Sequence, residues 1–223
     1  MSSTADRRPR GRPKTGDAPA TPEQVLAAAL RAFARHGYEG VSIRTLSQDL
    51  GVSHNTIPQR FGSKERLWHA AVDWGFGNLV ADLAPVAGEN PPDPLDELHA
   101  GIRRFVEHSA AHPELHALMN IEGATDSHRL DYIFDNYVAP ATEPLREALE
   151  RLVAAGRIRP IPLRTLHFLI TSGGAAPFSL APLARRFDPA DPLDGEHVRG
   201  HARLVADIIT AGLRAAAPPS TGD

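Results

Sequence analysis

Gly37-Tyr38-Glu39-Gly40-Val41-Ser42-Ile43-Arg44-Thr45-Leu46, Gly51-Val52-Ser53-His54-Asn55-Thr56-Ile57 and Phe61-Gly62-Ser63-Lys64-Glu65-Arg66-Leu67 are the segments that decide the fold. Ser42 stands where a helix N-cap is wanted, and Ile43, Leu46 and Leu50 follow on one face. Gly51 makes a tight turn. Ser53 is placed to cap a short third helix that carries Ile57 and ends near Phe61. Ser63 caps a fourth helix with Leu67, Ala70, Ala71 and Trp74 on one face. Upstream, Thr21-Pro22 reads as N-cap and first helical residue. Leu26, Leu30 and Phe33 then repeat at helical spacing, and Gly37 ends that helix. Two short helices across a glycine turn, behind a supporting helix, form a helix-turn-helix unit.

Charge agrees with that reading. The 223 residues carry a net charge of only −3. Residues 1–66, however, hold 11 Lys/Arg against 6 Asp/Glu, and residues 67–223 hold 13 against 21. A basic first third before an acidic remainder suits a nucleic-acid-facing end. There is no cysteine, which excludes disulfides, thiol catalysis and zinc-thiolate sites. The basic N-terminus has no apolar core, so it is not read as a secretion signal. The uncharged stretch from Thr165 to Leu183 is interrupted by Gly173, Gly174, Pro177 and Pro182. A membrane span needs about 20 mostly apolar residues, so a buried interface helix is the better reading and a cytoplasmic location is expected.

The quoted segments resemble the DNA-binding domain of the TetR family of bacterial transcriptional regulators. The likeness runs over about residues 22–68: a Gly-Tyr pair, a capped second helix, Gly-Val-Ser, a short recognition helix, then Ser-Lys-Glu-x-Leu. His112-Pro113-Glu114-Leu115 and Ala154-Ala155-Gly156-Arg157-Ile158-Arg159 resemble turns of the family's C-terminal domain more loosely. The resemblance implies an all-α protein in two parts. The expected organisation is a basic disordered arm over 1–20, a DNA-binding domain over 21–67, a ligand-binding and dimerisation domain over 68–216, and a disordered tail over 217–223. Helices are expected over 93–111, 113–122, 126–139, 141–155, 162–184 and 194–216. No stretch alternates with the period of a strand.

The third helix fits the major groove with its N-terminal residues toward base edges. His54, Asn55 and Thr56 stand there, and asparagine can bond adenine through two hydrogen bonds. Arg44, Gln59, Arg60 and Lys64 suit phosphates. Ser42, Ser53 and Ser63 open helix N-termini, where backbone amides attract phosphate. Pro58 departs from the family pattern, which has a phosphate-touching tyrosine there. Proline lacks an N–H and disfavours helical geometry in the residue before it. The recognition helix is therefore expected to start late or run irregularly around 54–58. In the arm, Pro9-Arg10-Gly11-Arg12-Pro13-Lys14 looks like an AT-hook. Its Arg10 and Arg12 could enter a narrow minor groove, or act as a generic basic tail.

An operator read by two such units needs a homodimer with recognition helices about 34–36 Å apart. The resemblance implies that helices 162–184 and 194–216 form a four-helix interface. Val198, Ala202, Val205 and Ile209 share one face of the last helix, and Leu204, Ile208 and Ala211 widen it. The resemblance also implies an inducer pocket in the preceding helices. Trp74, His116, Met119, Asn120, Tyr132, Phe134, His167 and Phe168 are the candidates, polar or aromatic on apolar helices. No cofactor is expected. His108, His112 and His116 recur every four residues, but Pro113 breaks the register, so no metal site is expected. An enzyme is not expected either: Gly-x-Ser-x-Gly, a Walker-type loop and His-Glu-x-x-His are all missing from the sequence. The expected function is an inducible repressor on palindromic operator DNA. The alternative is an architectural, nucleoid-type DNA binder without an inducer.

Overall fold

The computed structural model describes residues 20–84 and 93–215, and every regular element among them is helical. The basic arm, with Arg10 and Arg12, and the C-terminal tail lie outside the described residues. Helix α1 spans Pro22–Gly40; the Thr21 hydroxyl accepts the Gln24 N–H, and the Gln24 side chain accepts the Thr21 N–H. This reciprocal capping box satisfies two amides that a helix start leaves without partners. Gly37 does interrupt α1, with φ +67°, but a further helical turn follows to Gly40. Helix α2 covers Ile43–Asp49, α3 Thr56–Phe61 and α4 Lys64–Leu83. Helix α4 runs unbroken through residue 68, so one rod carries the end of the recognition unit into the rest of the molecule.

Next come α5 (Pro94–Ala111), α6 (Pro113–Glu122) and α7 (His128–Ile133). Then a π-turn over Phe134–Val138 leads into α8 (Ala139–Ala154). Helices α9 (Leu163–Ser179), α10 (Ala181–Phe187) and α11 (Gly195–Ala215) complete the chain. Two expectations need correction. The single helix expected over 162–184 is two helices, broken at Leu180 (φ −111°, ψ 35°). Pro182 opens the second of them, where its missing N–H costs nothing. Conversely, no break separates 126–139 from 141–155. The π-turn bonds the Ala139 N–H to the Phe134 carbonyl, five residues back, and the widened turn admits Pro140 without stopping the helix.

The side chains close two cores. The first joins Leu30, Phe33, Leu46, Ile57, Leu67 and Trp68 to Leu115, Leu118 and Ile133. The helix-turn-helix unit is thus packed directly on α6 and α7. The second joins Leu95, Ile102 and Val106 of α5 to Leu149, Leu152, Leu166 and Ala202 of α8, α9 and α11. Gly174 lets α9 approach α5 closely, since a Cβ there would lie 2.7 Å from Val106 Cγ2.

Candidate nucleic-acid interface

The Ser42 hydroxyl accepts the Thr45 N–H at 3.4 Å and starts α2. Helix α2 ends in a Schellman motif: Val52 N–H reaches Ser47 O and Gly51 N–H reaches Gln48 O, both at 3.0 Å. Gly51 takes φ +64°, a conformation that glycine adopts without a Cβ penalty. The chain then turns through Ser53–Asn55. Ser53 Oγ accepts the Asn55 N–H at 3.4 Å and Ser53 O the Thr56 N–H at 2.9 Å. Ser53 therefore shapes a turn and does not cap α3, whose N-cap is Asn55. Helix α3 starts at Thr56, as Pro58 leads one to expect. Pro58 falls in the first turn, where backbone N–H groups have no intrahelical partner to lose.

Ile57 is the anchor of α3, with no exposed surface. Around it, Ser53, His54, Asn55, Gln59 and Arg60 are exposed and Thr56 is half-buried. The residues expected to read bases thus form one polar ridge at the start of α3. Ser42 and Arg44 are exposed at the start of α2. Two of the expected phosphate contacts also have partners inside the protein. The Arg60 guanidinium donates to the Ala20 carbonyl at 2.7 Å and ties α3 to the entry of α1. Lys64 Nζ donates to the Glu39 carbonyl at 3.3 Å and sits 4.5 Å from the Tyr38 ring centroid. Ser63 caps α4 by accepting the Arg66 N–H at 3.1 Å.

The inducer-pocket candidates fall into separate places. Trp74 lies edge-on to His112. His116 is 2.8 Å from Ser179 Oγ and accepts from Asn120 at 3.3 Å, with its pKa pushed down by burial. Met119 packs against the first core. Phe134 and Phe168 are 51% and 59% exposed, and His167 lies against Phe168. Among the described residues His116 and Asn120 share a hydrogen bond, His167 and Phe168 share a ring contact, and Trp74, Met119 and Tyr132 pack against the first core. Of the three spaced histidines, His108 bonds Asp82 at 2.7 Å and lies with its ring centroid 4.7 Å from that of His112 at the end of α5, while His116 turns away to Ser179. Among the described residues no group of three His, Cys, Asp or Glu side chains is arranged to hold a metal ion.

Two clusters escaped the sequence reading. Asp73 Oδ1 accepts hydrogen bonds from both Tyr132 and Tyr137, each at 2.6 Å. Burial, then the carboxylate, pushes the Tyr132 hydroxyl up to about 12 and raises Tyr137 as well. A spacing of five matches no α-helical face, so only the π-turn pairs these tyrosines. The second cluster is Glu122, 3% exposed, with Oε2 accepting from Arg129 Nε at 3.0 Å. Its signal was present in the sequence: Glu122 occupies the apolar stripe of Leu115 and Leu118.

Comparison with known proteins gives a consistent result. Residues 25–71 match the family described as bacterial regulatory proteins, tetR family, and residues 94–209 match the tetracyclin repressor-like C-terminal domain. The HTH-type transcriptional repressor AcnR of Corynebacterium diphtheriae is 30% identical over 151 residues, covering 65% of this chain and 72% of that protein. AcnR of Corynebacterium glutamicum is 30% identical over 159 residues, covering 68% and 77%. Among solved structures, the TetR family transcriptional regulator PfmR from Thermus thermophilus superposes with a TM-score of 0.60 at 23% identity, covering 85% of this chain and 97% of PfmR. The transcriptional regulator FadR from Bacillus subtilis, in complex with stearoyl-CoA, gives 0.62 at 16%, covering 85% and 98%. These structural likenesses concern the fold.

Proposed function

Because the chain belongs to the TetR family of transcriptional regulators, we propose that it is a repressor that binds palindromic operator DNA as a homodimer and is released by a small molecule. One observation carries the DNA reading: His54, Asn55, Thr56 and Gln59 form a polar ridge on a short helix anchored by the fully buried Ile57. Asn55 and its neighbours reach base edges in the major groove, while Arg44, Lys64 and the capped starts of α2 and α4 take phosphates. Arg60 adds a phosphate contact while it fixes the chain entry at Ala20. Arg10 and Arg12 of the arm are proposed as minor-groove contacts.

The dimer reading rests on apolar surface. Phe168, Leu169, Leu183, Phe187, Leu204 and Ile208, on α9, α10 and α11, are each more than half exposed. Apolar faces of this size are buried by association. Release by a small molecule follows if a ligand binds the conformation with unsuitable half-site spacing more tightly. A regulator of the same fold crystallised with stearoyl-CoA supports a ligand-holding C-terminal domain. A cytoplasmic location fits a role on operator DNA; no described helix is long and apolar enough to cross a membrane.

Footprinting on duplexes recovered from a random pool tests this reading. A short protected palindrome with half-site centres about 34–36 Å apart is expected. No preference for any duplex overturns the repressor, and broad, sequence-indifferent coverage replaces it with an architectural protein.

A further inference from the structure

Helix α7 holds the N-terminal unit by two side chains one turn apart. Tyr132 bonds Asp73 on α4. Arg129 does something less ordinary. Its guanidinium carbon lies 4.5 Å from the centroid of the Tyr38 ring, at the end of α1. Its Nε is fixed by Glu122, whose other oxygen, Oε1, is buried without a hydrogen-bond partner. A carboxylate this deep depends on its one cation, so Arg129 has little freedom to leave it. On the same Tyr38 ring sits Lys64 Nζ, also at 4.5 Å, donating to the Glu39 carbonyl. Tyr38 directly follows Gly37, where a Cβ would lie 3.8 Å from Ile121 Cγ2 of α6. Lys64 at the start of α4 and Arg129 of α7, seated on Glu122 at the end of α6, therefore converge on one aromatic ring at the end of α1.

We infer that Arg129, anchored by Glu122, is a positioning residue that sets Lys64 for its operator phosphate through the Tyr38 ring. The inference rests on the proposed role of Lys64 as a phosphate contact. With Arg129 seated, the ring and the Glu39 carbonyl hold the ammonium group in one place before DNA arrives, and binding has less ordering to do. A shift of α6 and α7 that draws Arg129 away frees the ring and releases Lys64. The C-terminal domain thereby reaches the DNA surface through side-chain contacts, independently of any change in the distance between two recognition helices.

Salt titration of the full chain on its footprinted duplex tests this. Lys64→Ala weakens binding and lowers the slope of log affinity against log salt by about one. Tyr38→Leu removes the ring without changing charge and is expected to lower the slope by a similar amount. Arg129→Gln is expected to do the same, Arg129→Lys to restore much of it, and Arg129→Gln combined with Lys64→Ala to bind no worse than Lys64→Ala alone. A wild-type slope in Tyr38→Leu, or additive losses in the double variant, overturns the inference while leaving Lys64 a phosphate contact. An unchanged slope in Lys64→Ala removes the contact itself, and with it the premise. Thermal melts of each variant separate these outcomes from loss of fold, and Tyr38→Leu decides the question if Arg129→Gln does not fold, because it leaves the Glu122 pair intact.

Discussion

Asn55 and Ile57 stand two residues apart and do opposite work. Asn55 faces out at the start of α3, while Ile57 is wholly buried beneath it. Asn55→Ala should cost about 1–3 kcal/mol of discrimination at one base position while leaving stability unchanged, read by competition among operator variants. Ile57→Ala should remove about 2–5 kcal/mol of stability, read by urea unfolding, because the cavity opens in the first core. The exposure of Asn55 and the burial of Ile57 were legible in the sequence, since helical spacing places them. The effect of Pro58 was legible too, because proline acts on its own backbone whatever surrounds it. Partners distant in sequence were not legible. Nothing local says that Arg60 will meet Ala20, or that Asp73 will collect two tyrosines, because such pairs exist only once helices pack.

Three of the four expected caps, Thr21, Ser42 and Ser63, start their helices while Ser53 does not, and two helix ends did not follow their prolines. Thr21, Ser42, Ser63 and Ser127 all accept a backbone N–H at the start of a helix. Thr21→Ala should cost about 1 kcal/mol, seen as a lowered urea midpoint and faster exchange in the first turn of α1. Pro182 and Pro140 both open helical segments, yet one follows a break and the other does not. What differs is tertiary: the π-turn before Pro140 is held by Tyr132 and Tyr137 on Asp73, whereas the contact beside Leu180, from Ser179 to His116, lies before the break. Tyr137→Phe should therefore loosen the π-turn and raise amide exchange over residues 134–142, at a cost of about 1 kcal/mol.

At the scale of the molecule, the charge division and the all-helical pattern were readable from composition and periodicity, while the division of α4 between two roles was not, because its helix has no internal stop. The exposed pair Leu204 and Ile208 on α11 gives the dimer proposal its test. Leu204→Glu with Ile208→Glu should give a folded monomer by sedimentation and abolish high-affinity operator binding. Stability should also fall with acid. Burial holds the imidazoles of His108, His116 and His167 below their ordinary pKa, opposed at His108 by Asp82. The unfolded chain then binds more protons below about pH 6.5, so this stabilisation is complete above that pH and is lost as pH falls toward the folded values. The urea midpoint should drop between pH 7.5 and pH 5.5, and His116→Gln should shrink the drop. The π-turn has a consequence at this scale as well. Ile133 before it belongs to the first core, and Leu149 and Leu152 after it to the second. One surplus residue shifts the helical phase by about 100°, which lets a single rod face two different interiors in succession. Deleting one residue from 134–138 would put the halves back in phase and turn one hydrophobic stripe out into water.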